Sequence, residues 1–491
     1  MDMSTMSAER QSVLHSWCVQ ADWDAPTVAG GRGARFWDDT GRTYVDMSSL
    51  SECMNLGHQH PALIKAIQAQ AAALCFTTAA WGAEPRARLA ERLLEKSGFE
   101  RGRVFFTLGG ADANEHAVKF ARQASGQPAG LVVTRDRSYH GASYAAMAFS
   151  GDSRTMSQVD PARYGVVHVP PPYAYRCPFG SASEAECGTL AAARIGQTID
   201  GYRGPCTMAR LAGPVRGQPH PSSARRALAT GVGPARRAGR PRPRPPARGP
   251  ETRDGVAAVL MEPNAGTNGI VAPDAFWPAL RDETGKRGVY LIADEVMSAF
   301  GRCGEWFAWQ RYGEAGRPDL MTLAKGLTGA HVPLGAVVLS AEVASRLEHQ
   351  MLYTGLTCCG HPLACAAGLA AIQAYEEEGL IARSRTLGAW MFRELQAMQT
   401  KHAAIGDVRG GHGLFAVLEL VKDRTTREPI APWPEVHPAL KALVDRGRAA
   451  GVSFAIRGNL ILLAPPLVIG ETDLGDALAL LDRLMADSDW S

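Results

Sequence analysis

Leu320-Met321-Thr322-Leu323-Ala324-Lys325-Gly326-Leu327 places a lysine at the end of a short, mostly apolar run and follows it with glycine. The run reads as a buried strand, and an ammonium at its end is costly unless paired or neutralised. Lys325 is then either one half of a structural ion pair or an amine of depressed pKa open to Schiff-base chemistry. Thirty-one residues upstream of it, Val289-Tyr-Leu-Ile-Ala-Asp-Glu-Val296 closes a second apolar run with Asp294 and Glu295. Parallel strands end at one sheet edge, so Asp294 and Lys325 can face a common pocket.

Further out, short apolar runs alternate with helical patterns between about residues 100 and 345. That is the mark of a mainly parallel sheet with helices on both faces. Seven strands are predicted, at 103–108, 130–134, 166–169, 256–261, 289–293, 320–323 and 336–340. On this reading the chain divides into an N-terminal segment, 1–60, a large α/β domain, 61–345, a connecting helix, 346–380, and a C-terminal α+β region, 381–491. The first and last of these are expected to pack together as a small domain.

Two more strand ends carry chemistry. The first predicted strand leads into Gly109-Gly110-Ala111-Asp112 and then a helical pattern, and glycines before a helix leave backbone N–H groups free for a phosphate. This is neither GxGxxG nor a Walker loop, which disfavours dinucleotides and nucleoside triphosphates. The second strand leads into Ser138-Tyr139-His140-Gly141, whose aromatic ring is either part of the core or rim or a stacking platform. A phosphate cradle, a stacking ring, a carboxylate and a lysine on successive strand ends are what a pyridoxal phosphate site requires.

The residues also match a family. Phe105-Phe-Thr-Leu-Gly-Gly-Ala-Asp-Ala-Asn-Glu-His-Ala-Val-Lys119, Tyr139-His-Gly141, Met261-Glu-Pro263, Leu291-Ile-Ala-Asp-Glu-Val296 with Phe300-Gly-Arg302, Thr322-Leu-Ala-Lys-Gly326, and Thr357-Cys-Cys-Gly-His-Pro362 occur in order. Through them the chain resembles the class III aminotransferases, pyridoxal-phosphate enzymes of fold type I, over nearly its whole length outside 209–250. The resemblance implies a large domain with a seven-stranded, mainly parallel sheet and a small α+β domain. It implies pyridoxal 5'-phosphate as cofactor, with Lys325 as the Schiff-base and proton-shuttling lysine and Asp294 paired with the ring nitrogen, so that the ring draws electrons. Gly110 and Ala111 are implied as phosphate donors, Tyr139 as the ring stacked on one face and Val296 as the packing on the other. Thr357 is implied to reach the phosphate of a neighbouring subunit, making a homodimer, or a dimer of dimers, the active assembly. Glu262 is implied beside the substrate, an ordinary strand-end glutamate being the alternative. The implied reaction is a two-half exchange in which an amino donor charges the cofactor and a keto acid takes the amine away.

Within that family, ornithine and 4-aminobutyrate enzymes carry an arginine three residues before a C-terminal Pro-Pro pair. Leu462 stands there, which disfavours them. Arg457 resembles the mobile arginine of omega-amino acid and amine:pyruvate transaminases, which pairs with a keto-acid carboxylate, although its spacing to Pro465 is shorter; a surface arginine is the alternative. Ser51-Glu52 stand where many amine transaminases have Leu-Trp, which makes the expected pocket more polar, and Gly109 replaces a usual serine. The nearest activities are taurine:pyruvate and beta-alanine:pyruvate aminotransferases. The alternatives are a mutase or phospholyase on the same fold, or a protein impaired by its 209–250 segment.

Composition sets the remaining bounds. The chain has 491 residues, 46% of them hydrophobic, enough for a large core. Its net charge is +3, yet residues 209–250 hold ten Arg and no Lys, Asp or Glu, so removing those ten leaves −7 on the rest. A mildly acidic body argues against a nucleic-acid partner. With nine Pro and six Gly, the 209–250 stretch cannot bury enough surface and is predicted to be disordered. It reads as a solvated insertion, a tail for nucleic acid or an acidic partner, or the product of a GC-rich gene read out of frame. Ten Cys with no CxxC pair predict reduced thiols in a cytoplasmic protein with no metal site. No signal peptide is read at the N-terminus, and no apolar stretch approaches the roughly 20 residues that span a bilayer, so no membrane partner is expected.

Overall fold

The computed structural model describes residues 5–202, 255–266 and 268–490, and the stretch predicted to be disordered lies outside them. All seven predicted strands are present, each within one residue of its expected bounds. They form one sheet in the order Arg103–Thr107, Gly335–Leu339, Leu320–Leu323, Tyr290–Asp294, Val256–Met261, Leu131–Arg135 and Val166–Val169. The sheet is mixed, because Gly335–Leu339 runs antiparallel to both of its neighbours. The link at 324–334 is shorter than the dozen or more residues a parallel crossover needs, so the chain turns straight back.

Successive side chains of a strand point to opposite faces, and here they divide between two cores. Val132, Ala258, Leu260, Ile292 and Val337 meet Ala113, Ala117, Val118 and Ala121 of the helix Gly110–Ala124. Val133, Val259, Leu291, Ala293, Met321 and Val338 join a second cluster with Ile195, Trp277 and Leu280 of the helices Glu184–Gly201 and Phe276–Gly285. Burial on both faces is why these strands read as unbroken apolar runs.

The two ends of the chain share a sheet. Val28–Arg32, Arg35–Asp38 and Thr43–Asp46 are antiparallel neighbours, and Val452–Ser453 adds to the last of them in parallel. Ile405–Gly410, Ala416–Asp423, Leu460–Leu463 and Ala455–Arg457 build a further sheet in that order. Arg302, fully buried, joins these parts. Its guanidinium donates to Leu414 O at 2.7 Å, Pro465 O at 2.6 Å, Ser49 Oγ at 2.9 Å and Asn55 Oδ1 at 2.7 Å. No helix among the described residues is long and apolar enough to cross a membrane.

The two carboxylates at the end of Tyr290–Asp294 part company. Asp294 turns toward a cavity, while Glu295 accepts from the backbone N–H groups of Ala308 at 3.0 Å and Trp309 at 2.9 Å, and from Ser298 Oγ. Burial pushes the Glu295 carboxyl up to about 7, against the pull of those donors. A folded-state pKa raised above its unfolded value gives stability that is complete below about pH 4.5 and is lost as pH rises through about 7. The stability of the wild type relative to Glu295→Gln, which cannot ionise, should therefore fall by roughly 3 kcal/mol between pH 4.5 and pH 8. Urea unfolding of both proteins across that range checks it, and a constant difference would contradict the assignment.

Candidate active site

Gly110, Ala111, Tyr139, Glu262, Asp294, Val296 and Lys325, all singled out in the sequence, line one cavity of about 230 Å³. Strand register brings the reactive pair together. Asp294 lies opposite Thr322 in the parallel pairing of their strands, and Lys325 follows three residues later. Both therefore emerge at the same sheet edge.

Asp294 is 4% exposed, and donors from three places meet its carboxylate. Asn114 Nδ2 donates to Oδ2 at 2.8 Å, His140 Nδ1 reaches the same oxygen at 2.7 Å, and the Val296 N–H donates to Oδ1 at 3.0 Å. A carboxylate only accepts, so the His140 proton on this side sits on Nδ1, and Nε2 lies 3.2 Å from Thr134 Oγ1. The sequence quoted His140 and Asn114 within their motifs without a role. Their place beside Tyr139 and on the helix that starts at Gly110 was the available signal.

Lys325 sits in a left-handed backbone conformation, φ 38°, and its ammonium donates to Glu52 Oε2 at 2.9 Å. The segment Ser49–Glu52 that delivers this carboxylate is itself left-handed at four consecutive non-glycine residues. Such backbone costs about 1–2 kcal/mol per residue. Sequence reasoning noted Glu52 as a polar substitution and did not foresee its bond to Lys325.

Glu262 pairs with Arg135 Nη2 at 2.5 Å, both buried, and its other oxygen lies 3.5 Å from the Tyr139 N–H. Burial raises its carboxyl despite Arg135. It holds the Tyr139 loop as well as lining the cavity. Across the cavity the helix Gly110–Ala124 begins with no side-chain cap, leaving its first N–H groups open to an anion. Val296 packs so close that a Cβ on Gly110 would lie 2.9 Å from its Cγ1. A half-buried amine, a buried acid, an uncapped helix start and a flanking aromatic ring together fit a pyridine aldehyde phosphate.

Two predicted residues lie outside that cavity wall. Thr357 is exposed at the surface. Arg457, at the end of Ala455–Arg457, is half-buried and forms no ion pair among the described residues; its Nη1 reaches only Ile456 O at 3.2 Å, and its Nε has no hydrogen-bond partner. Its charge is nonetheless felt at Glu52 and Tyr139, which puts it on the cavity's side of the molecule.

The class III aminotransferase family model matches residues 20–201 and 248–485, breaking across the Arg- and Pro-rich stretch. The chain is 31% identical over 471 residues to a leucine/methionine racemase of Thermococcus litoralis, covering 94% of this chain and 91% of that one. It is 29% identical to a taurine–pyruvate aminotransferase of Rhodobacter capsulatus, covering 98% and 96%. The solved taurine:2-oxoglutarate aminotransferase of Bifidobacterium kashiwanohense, in complex with PLP and glutamate, superposes with a TM-score of 0.82 at 32% identity, covering 99% and 98%. The chain belongs to the class III aminotransferases: it is a pyridoxal-phosphate enzyme of fold type I that carries an amino group from an amino donor to a keto acid.

His140 has a testable part in this site. Removing one donor to a buried carboxylate costs about 1.5–3 kcal/mol, so His140→Ala should weaken pyridoxal phosphate binding roughly 10- to 100-fold. An absorbance titration of the cofactor-free protein measures it, and an unchanged affinity would remove His140 from the site.

Proposed function

We propose that the enzyme takes the amino group of an omega-amino acid or amine, of the taurine or beta-alanine type, and passes it to a keto acid such as pyruvate. The observation that carries this reading is Arg457, a guanidinium with no ion pair among the described residues whose charge reaches the cavity, as a substrate carboxylate or sulfonate would need. Relatives named for taurine and pyruvate support it.

When bound, pyridoxal phosphate supplies an aldehyde that takes up the amine and a ring that draws electrons from the carbon losing its proton. The rest falls to the chain. Lys325 holds the aldehyde and moves the proton at the donor carbon. Asp294, fixed by Asn114 and His140, keeps a proton on the ring nitrogen. Gly110 and Ala111 would bind the phosphate, Tyr139 and Val296 would pack against the ring, and Glu262 steadies the Tyr139 loop, which begins at Arg135. Arg457 orients the acid group of the substrate.

The active form we propose is a homodimer. Leu74, Phe76 and Trp81 are exposed, as are Met351, Leu352, Tyr353 and Leu356. Arg86 ties the two stretches together through Trp81 O at 3.0 Å and Gly360 O at 2.9 Å. An apolar face of this kind beside the exposed Thr357 suits a second copy whose phosphate that threonine reaches. The nine described cysteines are all free, which supports a reducing, cytoplasmic setting.

A panel of amines and omega-amino acids against pyruvate tests the function. Alanine should form, and Arg457→Ala should raise KM for pyruvate roughly 10- to 100-fold while amine donors change little. Loss of optical activity from a single amino acid, with no keto acid present and no alanine formed, would contradict the reading.

A further inference from the structure

We propose that Glu52 is a further catalytic residue, which accepts the proton of the incoming amino donor and passes it to Lys325. The inference rests on the aminotransferase reading and adds a proton path to it.

The geometry is direct. Glu52 Oε2 lies 2.9 Å from Lys325 Nζ, and no other hydrogen bond to that ammonium occurs among the described residues. Glu52 is 6% exposed, so its carboxylate has little water to share its charge. Both ends of the contact are held in backbone that side chains rarely adopt. Ser49, Leu50, Ser51 and Glu52 have φ of 49°, 41°, 74° and 57°, and Lys325 has 38°. Tertiary bonds impose the first of these, since Ser49 Oγ donates to Ala464 O at 2.6 Å and receives Arg302 Nη2 at 2.9 Å. Strain concentrated at both partners of one contact is the pattern seen where a site, rather than the fold, needs the geometry.

The charges facing the pair set the direction of proton flow. Around Lys325 stand Glu52, Cys53 and Asp294, with the Tyr139 hydroxyl nearby; around Glu52 stand Lys325, Arg457 and Arg302. Burial by itself pushes the lysine down, and Glu52 leads the charges that outweigh it, so the amine is held above the ordinary lysine range. Burial likewise raises the glutamate, and Lys325, Arg457 and Arg302 hold it below the ordinary range. The resting pair is therefore ammonium and carboxylate.

An amino donor arrives as an ammonium and must lose a proton before its nitrogen can react. When Lys325 is engaged with the cofactor, Glu52 has lost its partner and offers a bare carboxylate at the place where the donor nitrogen reacts. The donor N–H bond breaks and a Glu52 O–H bond forms, giving a neutral amine and a neutral carboxyl. Lys325, set free as a neutral amine, first moves the proton at the donor carbon; only afterwards does the Glu52 O–H bond break and an Nζ–H bond form, which restores the ion pair. No oxidant or other reactant is consumed.

The test uses Glu52→Gln and Glu52→Asp. In cofactor-free protein, the pH midpoint for covalent uptake of pyridoxal phosphate, followed by absorbance, should fall in Glu52→Gln, with uptake at pH 7 about tenfold faster or more, because the lysine is no longer held protonated. In the holoenzyme, kcat/KM for an amine donor at pH 7 should drop about a hundredfold in Glu52→Gln with loss of its acid limb, and Glu52→Asp should recover that limb. An unmoved uptake midpoint, or a donor kcat/KM within twofold of wild type, would overturn the proposal. So would equal losses in both variants with the acid limb intact, which mark a merely structural residue. A wild type that takes up no pyridoxal phosphate would overturn the aminotransferase reading and this proposal with it, whereas an active wild type with an unmoved Glu52→Gln overturns the proposal alone.

Discussion

A carboxylate at the end of a central strand, shielded from water yet met by donors on both oxygens, is the constraint on which the rest of this molecule depends. Asp294 meets it with two donors on one oxygen and a backbone N–H on the other. Each comes from a different place: Asn114 from the helix after the first strand, His140 from the loop after the second, and Val296 from the turn that follows. The sheet has to set all three strand ends at one edge before the acid can be satisfied. A buried charge left without those partners would cost several kcal/mol, so the site and the fold are specified together.

The lysine end of the site is built differently. Asp294 is held by three donors, whereas Lys325 has, among the described residues, one ionic partner, Glu52, on a strained segment pinned by Arg302 and Ala464 O. Fixed polarity at the ring nitrogen and exchangeable protons at the reacting amine are complementary requirements of amino-group transfer. Arg302 anchors the lysine end to the rest of the fold, since the same guanidinium that holds Ser49 and Asn55 also holds the carbonyls of Leu414 and Pro465.

Much of this was legible in the sequence, for physical reasons that also explain what was not. Strands buried on both faces must be apolar throughout, so Val256–Met261 and Tyr290–Asp294 announced themselves. Composition carries no direction, however, and the antiparallel course of Gly335–Leu339 follows from the length of its link instead. Lys325 and Asp294 stood out because charges are rare at the ends of such strands. The roles of His140 and Glu52 depend on contacts across 154 and 273 residues of chain, which local pattern does not encode. The left-handed run at Ser49–Glu52 contains no glycine to signal it, because tertiary bonds rather than residue type impose that backbone.

The claim beneath all of this is that one amine, that of Lys325, holds the cofactor opposite the Asp294 acid. Borohydride reduction of the purified holoenzyme followed by peptide mass mapping tests it most directly. The expected result is a single pyridoxyl-phosphate adduct on the peptide containing Lys325, absent from Lys325→Ala; an adduct on a different lysine, or none in a protein saturated with the vitamin, would contradict it.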